Sequence, residues 1–246
     1  MANIHFDWRL RSGIASTINL CVLLGVLASF PLVLRWTGAL GVAEVNPDSP
    51  LHTWAFLRAC FVLVAFLWIC FGVALVGIQQ RRCITWREVV GARWSSAGAV
   101  IRDLGVACLT LVGMAVIGNL SNMLLHASEH DVRVFRAMVA PQNGVEALAF
   151  LAAALTAGFV EEFVFRGYLQ RQCQALFGST ILASVVQVLI FTQGHFYQGW
   201  RRLVPVFLIG ALLTVVALWR KSLLPGMMAH AIGDSLVTIA YFAKHL

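Results

Sequence analysis

Arg11 and Arg35 enclose a stretch, Gly13 to Leu34, that holds no charged residue, and Arg58 and Arg81 enclose a second, Ala59 to Ile78. A helix that crosses ~30 Å of hydrocarbon needs ~20 apolar residues, so each stretch is long enough to span a bilayer. Five more apolar runs follow: Leu104–Leu125, Val145–Phe165, Thr180–Phe196, Leu203–Trp219 and Leu223–Ala243. Together they predict an all-α fold, a polytopic transmembrane helical bundle of about seven spans, six to eight allowing for uncertain ends. Only 12% of the 246 residues are charged and 60% are hydrophobic, whereas a soluble domain carries about 25% charged residues. That excess excludes a soluble globular domain, and disorder with it. The first run is too long for the apolar region of a signal peptide, so it reads as an uncleaved first span.

The net charge of +7 does not point to nucleic acid, because the basic residues stand beside the spans. Loops rich in Arg and Lys face the cytoplasm. With the N-terminus inside, eleven basic residues fall on the cytoplasmic side, among them Arg81, Arg82, Arg87, Arg93 and Arg102, and seven fall outside. The connection holding those five also carries Trp86 and Trp94, a composition suited to an amphipathic segment lying on anionic lipid. Residues 36–58 and 128–143 read as outer connections. The six cysteines include no Cys-x-x-Cys pair and read as packing residues.

Three polar intrusions break the apolar pattern. In the fourth run, Glu161 and Glu162 follow a charge-free stretch from Ala147 to Val160. An ionisable group at the centre of a span costs ~2.5–3.5 kcal/mol, and adjacent acids also repel each other. Arg166, four residues after Glu162, shares its helix face and can pair with it, while Glu161 points about 100° away. In the fifth run lies Phe191-Thr-Gln-Gly-His195. The midpoint between residues 161 and 195 is Gly178, so a hairpin turning there would bring Glu161 and His195 to one depth on adjacent helices. In the last run, His230 and Asp234 stand four apart on one face, where Asp234 could accept the Nδ1 proton of the ring.

The ordered set Glu-Glu-x-x-x-Arg, Phe-x-x-x-His and His-x-x-x-Asp resembles the CAAX-protease and bacteriocin-processing (CPBP, or Abi) family of intramembrane proteases, over roughly residues 140–240. The resemblance divides the chain into an N-terminal two-span region with a basic cytoplasmic connection, 1–103, and a CPBP-like catalytic membrane core, 104–246, within one integrated membrane domain. It implies an endopeptidase that cuts a membrane-embedded or lipidated protein or peptide, in the inner or plasma membrane if the source is bacterial. Carried over by residue, Glu161 and His195 would activate a water, His230 with Asp234 would stabilise the oxyanion, and Glu162 with Arg166 and Phe191 would brace the site. A desolvated glutamate suits the base that such hydrolysis needs near neutral pH. The last motif of the family often ends in Asn, which can donate to an oxyanion; an ionised Asp only accepts, so Asp234 is expected to orient His230.

Several alternatives stay open on the residues alone. Glu161, His195, His230 and Asp234 form an N/O set that could hold zinc with a bound water, although a cofactor-free glutamic-type protease is the first expectation. His126-Ala-Ser-Glu129-His130 reads as the His-x-x-Glu-His zinc motif, but it falls in a polar connection where such residues belong anyway. Intramembrane acids and histidines also build ion transporters, and a non-catalytic membrane scaffold or immunity protein could retain the same polar network.

Overall fold

The computed structural model describes residues 13–44, 50–91, 94–126, 135–137 and 139–242. Its principal elements are α-helices: α1 (Thr17–Trp36), α2 (Pro50–Arg81), α3 (Trp86–Val90), α4 (Ala97–Leu125), α5 (Gly144–Phe177), α6 (Thr180–Gln193), α7 (Trp200–Arg220) and α8 (Leu224–Phe242). Among the described residues five helices are long and apolar enough to cross a membrane, namely α1, α2, α4, α5 and α7, and the shorter α6 is also apolar. With α8 these seven elements match the seven expected spans, so the chain is a multi-pass integral membrane protein. Leu32, Ile69, Leu109, Leu148 and Ile181 are each more than half exposed, as lipid-facing side chains are.

The ends differ from expectation where local chemistry extends a helix. The second helix begins at Pro50 and absorbs part of the expected 36–58 connection; a proline in the first turn lacks only an N–H that would have no partner there. Ser16, Ser96, Asn143 and Ser179 cap α1, α4, α5 and α6, each side chain accepting a backbone N–H three residues onward. Beneath the Asn143 cap, Glu146 is fully buried and accepts from Thr53 Oγ1 at 2.6 Å and Asn143 Nδ2 at 3.0 Å, with His52 Nδ1 at 3.3 Å. This unforeseen cluster ties the start of α5 to the start of α2.

The basic second connection packs part of its described length against the bundle. Its helical part, α3, is five residues held by a capping box between Thr85 and Glu88, and it docks on protein. Val89 is buried, its carbonyl accepts from Arg171 Nη1 and Nη2 at 3.1 Å each, and Gly91 bridges to Ser222. Gly91 has φ +96°, and an added Cβ would stand 2.5 Å from the Lys221 carbonyl oxygen, so only glycine fits this crossing. Trp86 and Trp94 remain half-exposed at its flanks.

The fifth helix is the axis of the bundle. From Val160 to Gln174 every residue is buried, with α2 and α8 packed on its first half and α6 on its second. Glu162–Leu169 is π-helical, a departure from α geometry that recurs at functional sites. Helix α5 ends at Gly178 in the left-handed conformation, φ +65°, and α6 turns back from there. Helix α6 is only 14 residues, after which His195 N–H donates to the Thr192 carbonyl at 3.0 Å and Gln198 N–H to the His195 carbonyl at 3.0 Å. Those short turns satisfy backbone that would otherwise lie bare in hydrocarbon.

Candidate active site

The helical hairpin at Gly178 brings Glu161 and His195 to the wall of one cavity. Glu161 is buried, and its Oε2 has no hydrogen-bond partner in the protein. His195 follows the last turn of α6 and its Nδ1 lies 2.9 Å from the Phe191 carbonyl oxygen. A carbonyl only accepts, so Nδ1 carries the proton and Nε2 is the acceptor of the neutral ring. Tyr197 stacks on the far side of that ring, with centroids 6.2 Å apart. The cavity these groups line together with apolar side chains of α1 and α2 has a volume of about 40 Å³, where roughly 10–15 Å³ admits one water.

Glu162 turns the other way, into a fully buried network. Its Oε1 accepts from Arg166 Nη1 at 3.0 Å and from His230 Nδ1 at 3.0 Å. Arg166 also donates through Nη2 to the Gly210 carbonyl at 3.0 Å, and its guanidinium lies 4.3 Å over the Phe191 ring. A desolvated cation–π contact of this kind contributes about 2 kcal/mol. Thus the expected Glu162–Arg166 pair forms, and Phe191 joins it through its ring face.

One expectation is corrected. Asp234 does not take the Nδ1 proton of His230; Glu162 does. The Asp234 carboxylate instead lies 3.6 Å from Nε2, which also faces Glu161 Oε2 at 3.9 Å, and its side chain is 41% exposed. The cause is how closely α8 approaches α5. An added Cβ on Gly158 would stand 2.6 Å from the Ala231 nitrogen, and one on Gly226 would stand 3.3 Å from Glu162 Oε2. These two glycines let the acid of the neighbouring helix reach the ring ahead of the acid one turn along its own helix.

All seven expected residues therefore converge, from α5, α6 and α8. Sequence reasoning missed the Gly210 carbonyl, Tyr197, and a buried link in which Gln187 Nε2 donates to Thr214 Oγ1 at 2.6 Å and Thr214 Oγ1 donates to the Gly210 carbonyl at 2.8 Å. Gln187 stands one turn before Phe191 and two before His195, so its spacing was a usable signal. The apolar wall contributed by Leu27, Phe30 and Phe66 carried none. Among the described residues no three His, Cys, Asp or Glu side chains are grouped so as to hold a metal ion. Of the His126-x-x-Glu-His motif, Glu129 and His130 lie outside the described residues.

A scan of family models matches residues 143–236 to the model described as Rce1-like, type II CAAX prenyl endopeptidase Rce1-like. Residues 143–236 carry the CAAX-protease family's match. The matched segment begins at the Asn143 cap of α5 and closes two residues after Asp234, so it encloses all three motifs of the site. The match supports an intramembrane endopeptidase of the CAAX type. No curated protein and no solved structure gives a match to this chain.

Proposed function

We propose that the protein is an intramembrane endopeptidase in which Glu161 and His195 activate a water held in the cavity between them. The observation that carries this reading is that a buried Glu161, whose Oε2 makes no hydrogen bond, and His195 line one cavity able to hold water. A water there loses a proton to Glu161 as its oxygen attacks the carbonyl carbon of the scissile bond. His195, its tautomer set by the Phe191 carbonyl, accepts a hydrogen bond from the same water through Nε2 and orients it.

The oxyanion forms next to His230 Nε2, which a protonated ring makes a charge-assisted donor. One such donor is worth about 2.7–4 kcal/mol of barrier. Glu162 and Arg166 hold that ring from behind, and Asp234 biases its outer edge. The proton on Glu161 passes to the leaving nitrogen as the C–N bond breaks, giving a carboxylic acid and an amine, and the acid's remaining proton then moves to the amine to leave a carboxylate and an ammonium. Each step of this reading uses only side chains and water, as in a glutamic-type protease.

The substrate is a membrane-embedded or lipidated polypeptide. The match to a CAAX prenyl endopeptidase model makes a prenylated C-terminal tail the first class to test, ahead of peptide leaders and sorting segments. We place the N-terminus on the cytoplasmic side from the loop charges. The test is cleavage of a farnesylated CAAX peptide and of membrane-protein fractions by the protein in liposomes. Glu161→Gln should lower turnover about 10²–10⁴-fold; equal cutting by that variant would overturn the mechanism.

A further inference from the structure

The cavity at Glu161 and His195 has two chemically distinct walls. One comes from α5 and the end of α6 and carries the polar groups Glu161, Gln193 and His195 among Phe165, Ile190 and Phe191. The other is apolar and comes from α1 and α2, through Leu27, Phe30, Leu63, Phe66 and Leu67. The first two helices lie wholly outside the matched segment, 143–236. Leu27, Phe30, Phe66 and Leu67 are all buried, so they are not ordinary lipid-facing positions. Phe30 and Phe66 meet with ring centroids 4.4 Å apart, and Phe30 meets Tyr197 edge-on at 6.0 Å. Tyr197 in turn stacks on His195. An aromatic wall thus runs from the N-terminal helices directly to the imidazole.

We infer that α1 and α2 form the specificity pocket of this site: Phe30, Leu63 and Phe66 receive one apolar side chain adjacent to the scissile bond and set the largest size admitted. The inference rests on the hydrolytic reading above and adds where selection is made. A scissile bond placed between Glu161 and His195 leaves the neighbouring substrate side chain facing this wall. The Leu and Phe side chains of α1 and α2 offer no hydrogen-bonding group, so a charged or amide side chain seated against them would be disfavoured. Among apolar side chains the pocket discriminates by fit, at about 10- to 200-fold per methylene. The Phe30–Phe66 pair bounds the pocket on this side, and truncating either ring enlarges it. A larger residue at position 63 shortens it.

The test compares newly exposed N-termini in membranes of cells expressing wild type, Glu161→Gln, Phe66→Ala or Leu63→Phe, each at matched abundance and with thermal midpoints measured. Cuts present in wild type and absent in Glu161→Gln define the enzyme's sites. Expected is a small or medium apolar residue at one flanking position in wild type. Phe66→Ala should raise the share of Phe and Trp there at least 10-fold, and Leu63→Phe should restrict it to Ala and Gly. Sites that persist with an unchanged distribution in both variants would overturn the specificity pocket and leave the hydrolytic reading standing. Absence of any Glu161-dependent cut would instead remove the hydrolytic reading, and this inference with it. If Phe66→Ala does not fold, Leu63→Phe decides alone, since it adds bulk beside a cavity rather than removing core. Folded variants that cut nothing would show that the wall serves the chemistry rather than selection, which also overturns the proposal.

Discussion

His230 donates through Nδ1 to Glu162 at 3.0 Å, and this one bond aims Nε2 at Glu161, 3.9 Å away. The two adjacent acids of α5 are thereby given different surroundings. Glu162 shares one oxygen between a histidine and an arginine, whereas Glu161 makes neither of those hydrogen bonds and lines the cavity. Their functions separate for the same reason.

Substitution of the two acids should separate accordingly. Glu162→Gln removes the counter-charge of a fully buried Arg166 and is expected to destabilise the protein by about 3–5 kcal/mol. Glu161→Gln should leave the thermal midpoint in detergent nearly unchanged while lowering turnover about 10²–10⁴-fold. Equal midpoints for the two variants would contradict the division.

Arg166→Lys is expected to behave as a severe change. The guanidinium reaches Glu162 and the Gly210 carbonyl through different nitrogens while lying over Phe191. An ammonium is a compact charge that cannot reproduce that planar arrangement. Loss of one charge-assisted bond amounts to about 1.5–3 kcal/mol, readable as a lowered midpoint together with lower turnover. Wild-type behaviour of this variant would show that the Gly210 contact contributes nothing.

Gly158→Ala and Gly118→Ala make a matched pair. An added methyl at 158 would meet the backbone of Ala231 at 2.6–2.7 Å, next to His230, whereas nothing lies within 4 Å at 118. Forced separation of α5 and α8 should cost about 1–3 kcal/mol and depress activity. At 118 the change should be neutral or stabilise by up to about 1 kcal/mol, from helix propensity. Thermal unfolding of both variants checks the contrast; a neutral Gly158→Ala would mean that the two helices can part without loss.

Chelation addresses the cofactor directly. Turnover by a glutamic-type site should be unchanged by EDTA or phenanthroline at millimolar concentration. Activity lost on chelation and restored by added zinc would replace the metal-free mechanism with one using Glu161, His195, His230 and Asp234 as ligands.

Much of the site was legible in the sequence because its signals are local. Glu162 and Arg166 pair along one helix, and the Gly178 turn sits midway between Glu161 and His195, so spacing alone foretold both. The partner of His230 was not legible, since it depends on how closely α8 packs against α5. That approach is set by Gly158 and Gly226, whose lack of a side chain gives no polar signal. The π-helical stretch after Glu161 was likewise hidden, because a segment buried on all sides has no solvent-facing stripe to betray a change of pitch. The wall of α1 shows the limit most sharply. Phe30 is buried beside the site and Leu32, two residues on, is 69% exposed. In a membrane both environments are apolar, so hydrophobicity cannot tell a core position from one that greets lipid.

Helix α6, with 14 residues, rises only about 21 Å before its chain turns, against ~30 Å of hydrocarbon. Acyl chains bordering that flank meet a rim shorter than the leaflets around it and must tilt, compress or let moisture through. A polypeptide arriving along this edge could fray from its helix in a thinned, damp margin instead of dry oil, and so present an extended backbone to the cleft.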